Sequence, residues 1–116
     1  MDTKKKGFLG ESIACDLLIA QDYKILQRNY SCKLGEIDII ALKDNTLIFV
    51  EVKTRSNKKY GVPQEAVTPQ KLRKIQKVSE FYRLSHKNLP VRSRIDVVAI
   101  EIDQGNIKSS QIIPVI

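Results

Sequence analysis

Residues 35–54 read GEIDIIALKDNTLIFVEVKT, two apolar stretches separated by Lys43-Asp44-Asn45-Thr46. Their Ile, Leu, Val and Phe suit a pleated, half-buried or buried backbone. Asp and Asn tolerate the positive φ of a tight hairpin turn. The stretch therefore reads as two strands, about 35–42 and 46–53, that any fold of this chain has to bury. Along the second strand Leu47, Phe49, Glu51 and Lys53 share one face, and Ile48, Val50 and Val52 share the other. Both faces are apolar as far as Val50, the pattern of a central strand covered on both sides. Asp38, Glu51 and Lys53 interrupt that pattern, and buried charge is costly unless it is paired or holds a metal.

The turn sets the register. With Asp44-Asn45 as a two-residue turn, or a four-residue loop about the same centre, Asp38 stands opposite Glu51 and Glu36 opposite Lys53. A three-residue loop with a bulge would break this arrangement. In the first register Asp38 and Glu51 leave one face with Cβ atoms roughly 5 Å apart. Two opposed carboxylates repel, and a shared proton, a nearby cation or a divalent metal would compensate. Lys53 supplies some positive charge. A hard cation such as Mg²⁺ takes one or two protein carboxylates and completes its shell with waters and substrate phosphate oxygens. The competing reading places Asp38 and Glu51 at solvent-exposed strand ends, with Glu36 and Lys53 as an ordinary cross-strand ion pair; spacing alone leaves the two level.

Around the hairpin, residues 7–22 read as a helix with Phe8, Leu9, Ile13, Ala14, Leu17 and Leu18 at helical spacing. Glu11 projects onto that mostly apolar surface, either as a ligand facing the strands or as a charge tolerated near the helix start. Residues 23–32 read as a strand. Residues 54–68 show no period and read as a long loop, the kind that is functional or disordered in a compact domain. Thr68-Pro69 is a helix start, Thr as N-cap and Pro at the first helical position, and the helix runs to about Lys87. It buries Leu72, Ile75, Val78, Ser79 and Tyr82 and turns Gln70, Lys71, Lys74 and Lys77 outward. A strand at 94–103, a turn at Gln104-Gly105-Asn106 and a last strand at about 107–115 follow. The order αβββαβ plus a strand gives an α/β layer fold with a mixed sheet, one domain over 1–116.

Charge narrows the function. The net charge is +7. Residues 1–52 hold seven bases and eight acids, and residues 79–116 hold five and four. Residues 53–78 hold eight bases and the single acid Glu65, so the excess lies directly after the charged strand. A solvated lysine-rich surface is one reading; beside a candidate site, a polyanionic partner is favoured, nucleic acid above all. His86 is the only histidine, which excludes a histidine-based triad or a histidine-rich metal site. Cys15 and Cys32 lack metal-ligand spacing and read as small buried hydrophobes. With no apolar run long enough to span a bilayer and acids interrupting the N-terminal lysines, the expectation is a cytoplasmic protein with no membrane partner.

The pattern D38-x12-E51-x-K53, with a glutamate on a preceding helix, resembles the PD-(D/E)XK nuclease-like superfamily, which includes restriction endonucleases and archaeal Holliday-junction resolvases. The runs GFLGESIA, GEIDIIA, VEVKTR, TPQK and RIDVVAI resemble, more closely and over nearly the whole chain, the bacterial YraN family. The resemblance implies a restriction-endonuclease-like αβββαβ core with a mixed central sheet flanked by helices. The superfamily resemblance implies Mg²⁺- or Mn²⁺-dependent hydrolysis of phosphodiester bonds in DNA, structure-selective in the manner of a resolvase; the YraN resemblance implies the architecture and brings no substrate. Asp38 and Glu51 would be metal ligands and Glu11 a further ligand or a group ordering a water. Lys53 would position the attacking water or stabilise phosphate charge. Ile37 stands where the superfamily's name places proline, which lowers the specificity of the match. Arg55, Lys58, Lys59, Lys71 and Lys74 are the expected backbone contacts, which position a strand without reading its sequence. Related resolvases act as dimers, though no dimer surface is visible in the sequence. A non-catalytic nucleic-acid-binding module, or a subunit of a repair or processing complex, is the alternative.

Overall fold

In the computed structural model residues 3–55 and 67–116 are described, with side chains from Leu9 onward. The elements are α1 (Thr3–Ala20), β1 (Lys24–Cys32), β2 (Gly35–Lys43), β3 (Thr46–Arg55), α2 (Pro69–Ser85), β4 (Arg92–Asp103) and β5 (Asn106–Pro114). One five-stranded sheet runs in the order β1-β2-β3-β4-β5. Its neighbours are antiparallel except β3 and β4, which are parallel. A parallel pair cannot be closed by a tight turn and needs a crossover; the segment between β3 and β4 carries α2. The architecture is the expected α/β, with a mixed sheet consistent with a restriction-endonuclease-like core.

The two helices cover opposite faces of the sheet. Beneath α1 lie Ala14, Leu18, Ile39, Ala41, Ile48, Val50, Val98 and Ile100. Beneath α2 lie Tyr30, Ile37, Ile40, Leu47, Phe49, Ile75, Val78 and Tyr82. β3, third of five strands, is thus apolar on both faces as its sequence requires. Asp44 and Asn45 have φ of 49° and 56° and close β2 onto β3 with Lys43 paired to Thr46, the expected register. Thr68 caps α2, its hydroxyl accepting from the Lys71 N–H at 3.1 Å, with Pro69 at the first turn.

Several boundaries differ from the sequence reading; α1 already begins at Thr3 and β4 at Arg92. α1 stops at Ala20 because Gln21 and Asp22 turn the chain, Asp22 in the left-handed region at φ 69°. β3 continues through Thr54 and Arg55 along the ladder to β4, where Arg55 pairs with Glu101; of the loop expected over 54–68, residues 56–66 lie outside the described residues. α2 ends at Ser85, with His86 already extended and its ring against the Tyr82 carbonyl at 2.9 Å.

Candidate active site

The site grows from a local irregularity at Asp38. Strict alternation would put Ile37 on the α1 face with Ile39; it packs under α2 instead, as Ile40 does. The neighbouring strand rolls over at the same level. Arg28 reaches Ser12 of α1 at 3.3 Å, whereas Tyr30, two residues on, meets Tyr82 of α2 edge to face at 5.1 Å. Between them Asn29 adopts φ 55°, a left-handed conformation that Asn accepts more readily than most residues. The pairs Arg28–Ile39 and Tyr30–Ile37 flank the roll, so β1 and β2 change face together.

That roll turns the Asp38 side chain along the sheet toward β3. Its Oδ2 accepts the Val52 N–H at 2.7 Å, a donor that would otherwise serve the backbone ladder. The ladder between β2 and β3 runs from Lys43–Thr46 to Ile39–Val50. The expected register therefore holds, but regular alternation does not carry on to Asp38 and Glu51. Opposed buried carboxylates repel, and a forked strand end with one carboxylate bonded to backbone separates them more cheaply than an unbroken ladder would.

Glu51 stays in phase with Leu47 and Phe49 on the α2 face and is 7% exposed. Lys53 Nζ lies 3.7 Å and Lys71 Nζ 3.6 Å from its Oε1. Lys53 thus pairs with Glu51, not with Glu36 as the exposed-end reading would have it. Burial and, next, the charge of Asp38 hold the Glu51 carboxyl above its ordinary pKa, against the two lysines. Burial likewise raises Asp38, opposed by the Val52 N–H, Lys71 and Lys53.

Glu11 approaches from the α1 side. It is half-buried, bonded by the Asn29 side chain, and raised by burial and by the Asp38 charge. Gly10 explains how α1 comes so near: a Cβ there would meet Thr54 Oγ1 at 2.5 Å, so a larger residue would hold the helix off β3. Among the described residues no three Asp, Glu, His or Cys side chains gather closely enough to cage a metal. The arrangement is a carboxylate pair with a third acid alongside, which suits a hard ion that keeps several waters.

The remaining expected residues divide. Lys71 does not simply face outward: its Nζ stands 3.6 Å from Glu51 Oε1. Lys74 is exposed one turn further along α2, and Arg55 ends β3 half-buried. Lys58 and Lys59 lie outside the described residues. Cys15 is in the core, as expected; Cys32 is half-buried rather than buried, because its end of β1 borders an open cavity. Sequence reasoning missed Asn29 and Gly10, whose only signal is a turn-type residue inside a strand pattern and a glycine inside a helix pattern. It also missed a second charged cluster. Asp96, 0% exposed, receives Arg94 Nε at 2.7 Å and Nη2 at 3.0 Å, and the Tyr23 hydroxyl at 2.8 Å.

Residues 10–100 match the family described as Uncharacterised protein family UPF0102. The chain belongs to that family. The matched span includes Glu11, Asp38, Glu51, Lys53 and Lys71, and the YraN resemblance of the motifs is the same relationship. A UPF0102 protein of Caldicellulosiruptor bescii is 47% identical over 107 residues, which cover 91% of this chain and 90% of that one. A UPF0102 protein of Geotalea daltonii is 50% identical over 99 residues, 85% of this chain and 78% of its own. A third, from Clostridioides difficile, is 44% identical over 102 residues, 86% and 88% of the two chains. Within this UPF0102 chain, no described helix is long and apolar enough to cross a membrane.

Proposed function

We propose that this UPF0102 chain is a metal-dependent endonuclease hydrolysing phosphodiester bonds in DNA, with the structure selectivity of a resolvase. The observation that carries the reading is the fork itself: where the regular β2–β3 ladder ends, Glu51 feels the charge of Asp38 from the neighbouring strand, with two lysines from different elements beside it. The donors are hard oxygens, two in number, and next to ammonium groups suited to phosphate, so Asp38 and Glu51 fit Mg²⁺ or Mn²⁺. Such an ion supplies Lewis-acid polarisation of the phosphate. Lys53 places a point charge where negative charge grows as a water oxygen bonds to phosphorus and the leaving P–O bond breaks. Lys71 exchanges its contact with Glu51 for a phosphate oxygen, and Lys74 holds the strand beyond it. Glu11 lies within electrostatic reach of Asp38 and orders water at the α1 side of the fork.

One observation favours a second reading, a binding module without catalysis. Lys53 and Lys71 already counter the Glu51 charge, so the pair can persist with no ion. A nicking and cleavage screen on linear, flapped and four-way DNA with Mg²⁺ and Mn²⁺ separates the two. Cleavage that Glu51→Gln abolishes supports the endonuclease; DNA binding with no cleavage by the wild type supports the module.

A further inference from the structure

A cavity of about 450 Å³ opens beside the fork, within the size range of small-molecule sites, roughly 300–1,000 Å³. Ser31 of β1, Lys33 and Leu34 of the β1–β2 turn and Glu36 of β2 form one wall, and Lys71 and Lys74 of α2 form the other. The walls are closely seated. Gly35, at φ 147°, would bring a Cβ to 3.0 Å from Lys74 Cε and 3.2 Å from Val78 Cγ2, so only glycine lets the turn rest on the helix this way. Lys71 belongs to both places, lining the bay and standing 3.6 Å from Glu51 Oε1. Lys71 therefore joins the bay to the fork.

The lining is not that of a plain phosphate patch. Three ammonium groups suit phosphate, but Glu36 repels it and, as an acceptor, fits the amino edge of a base. Ser31 adds a hydroxyl of either polarity, and Leu34, 41% exposed, offers an apolar surface for a base face. Duplex DNA presents phosphates but keeps its base faces stacked. An unpaired nucleotide presents phosphate, base edge and base face together.

We infer that this bay seats an unpaired nucleotide adjoining the phosphate at Glu51, Lys53 and Lys71, so that the chain prefers single-stranded, flapped or branched DNA to blunt duplex. This rests on the nucleic-acid reading above and adds to it the feature of the strand that is recognised. Cys32 borders the same bay, whereas Cys15 is buried in the α1 core, so the Cys32 thiol reports on occupancy.

The experiment measures the rate of Cys32 modification by an aromatic disulfide reagent, located by peptide mass, without divalent metal so that nothing is cut. Single-stranded, forked and blunt duplex oligonucleotides of one sequence are compared at matched occupancy, fixed by fluorescence anisotropy. The same anisotropy is run on Leu34→Ala, in the turn, and Glu36→Gln, at the start of β2, both exposed positions. The expected result is protection of Cys32 by single-stranded and forked DNA, about tenfold beyond that from duplex. Leu34→Ala and Glu36→Gln weaken single-strand binding severalfold and leave duplex binding unchanged. Equal protection by duplex, or variants that weaken both ligands alike or neither, overturns the inference. If the free Cys32 thiol resists modification, the two variants decide. Protection without cleavage under any metal keeps the bay and removes the endonuclease; cleavage with Cys32 left open does the reverse.

Discussion

Asp38–Glu51 and Asp96–Arg94 both place acids inside an apolar sheet, yet they are built differently. Asp96 is fully enclosed and saturated: a guanidinium meets both oxygens and a phenol donates to one of them. Arg94 is held above its ordinary pKa by that hydrogen bond, and burial with the Asp96 contact pushes Tyr23 up to about 12. Nothing in the cluster asks for a further partner. Asp38 and Glu51 have their nearest ammonium nitrogens at 3.6 and 3.7 Å, both on Glu51, and each is raised, Glu51 in part by its neighbour. The difference separates an acid bonded directly to its cation and a phenol from a carboxylate pair whose lysines stand at 3.6 and 3.7 Å and leave both acids raised. Burial alone would have ranked Asp96 as the better site; completeness of pairing points the other way.

The largest expected effect falls on the saturated cluster. Arg94→Met leaves Asp96 buried without its cation and should cost about 3–5 kcal/mol in denaturant unfolding. Replacing Asp96 together with Arg94 by apolar residues should recover much of that loss. A single variant as stable as the wild type would mean the cluster ties nothing together.

A smaller effect tests the roll at Asp38. Asp38→Ala orphans the Val52 N–H and should cost about 1–3 kcal/mol, whereas Asp38→Asn keeps an acceptor there and should cost less. Equal losses would show that the bond to Val52 does not hold the fork. Gly10→Ala should also destabilise by about 1–3 kcal/mol through overpacking on Thr54, with Thr54→Ala partly restoring it.

The smallest effect has the opposite sign. The folded state raises the carboxyl pKa of Asp38 and Glu51, so it favours their protonated forms. Their contribution to stability is fully present below the unfolded values, about 4, and is lost as pH rises through the raised folded values. Metal-free Glu51→Gln should therefore match or exceed the wild type slightly at neutral pH, and its advantage should vanish on acidification. A variant less stable than the wild type at neutral pH would place Glu51 with Asp96, as a structural acid.

Much of this was legible in the chain. The hairpin register follows from Asp44-Asn45, and the start of α2 from Thr68-Pro69, because those turns are local and their side chains dictate backbone conformation. Asp38, Glu51 and Lys53 stand out because charge interrupts apolar strands. The roll at Asn29 and Asp38 was not legible: period-two reasoning assumes alternation, and the break depends on two strands rolling together. Asp96 also interrupts an apolar strand, but its partner Tyr23 lies far away in sequence, so only tertiary structure shows it is satisfied. Lys71 looked like one of several surface lysines on α2, since contact with Glu51 depends on how the helix crosses the sheet.

The most direct measurement is calorimetric titration of Mn²⁺ or Mg²⁺ into the wild type, Asp38→Asn and Glu51→Gln, each first shown folded by circular dichroism. The expected result is saturable binding by the wild type, weakened about tenfold or more in both variants, with protons released on binding because the ligands must be deprotonated. Thermal stabilisation by saturating metal should shrink in parallel. Wild-type protein that binds neither ion, or variants that bind as tightly as the wild type, would contradict the claim that the fork at Asp38 and Glu51 is a metal centre.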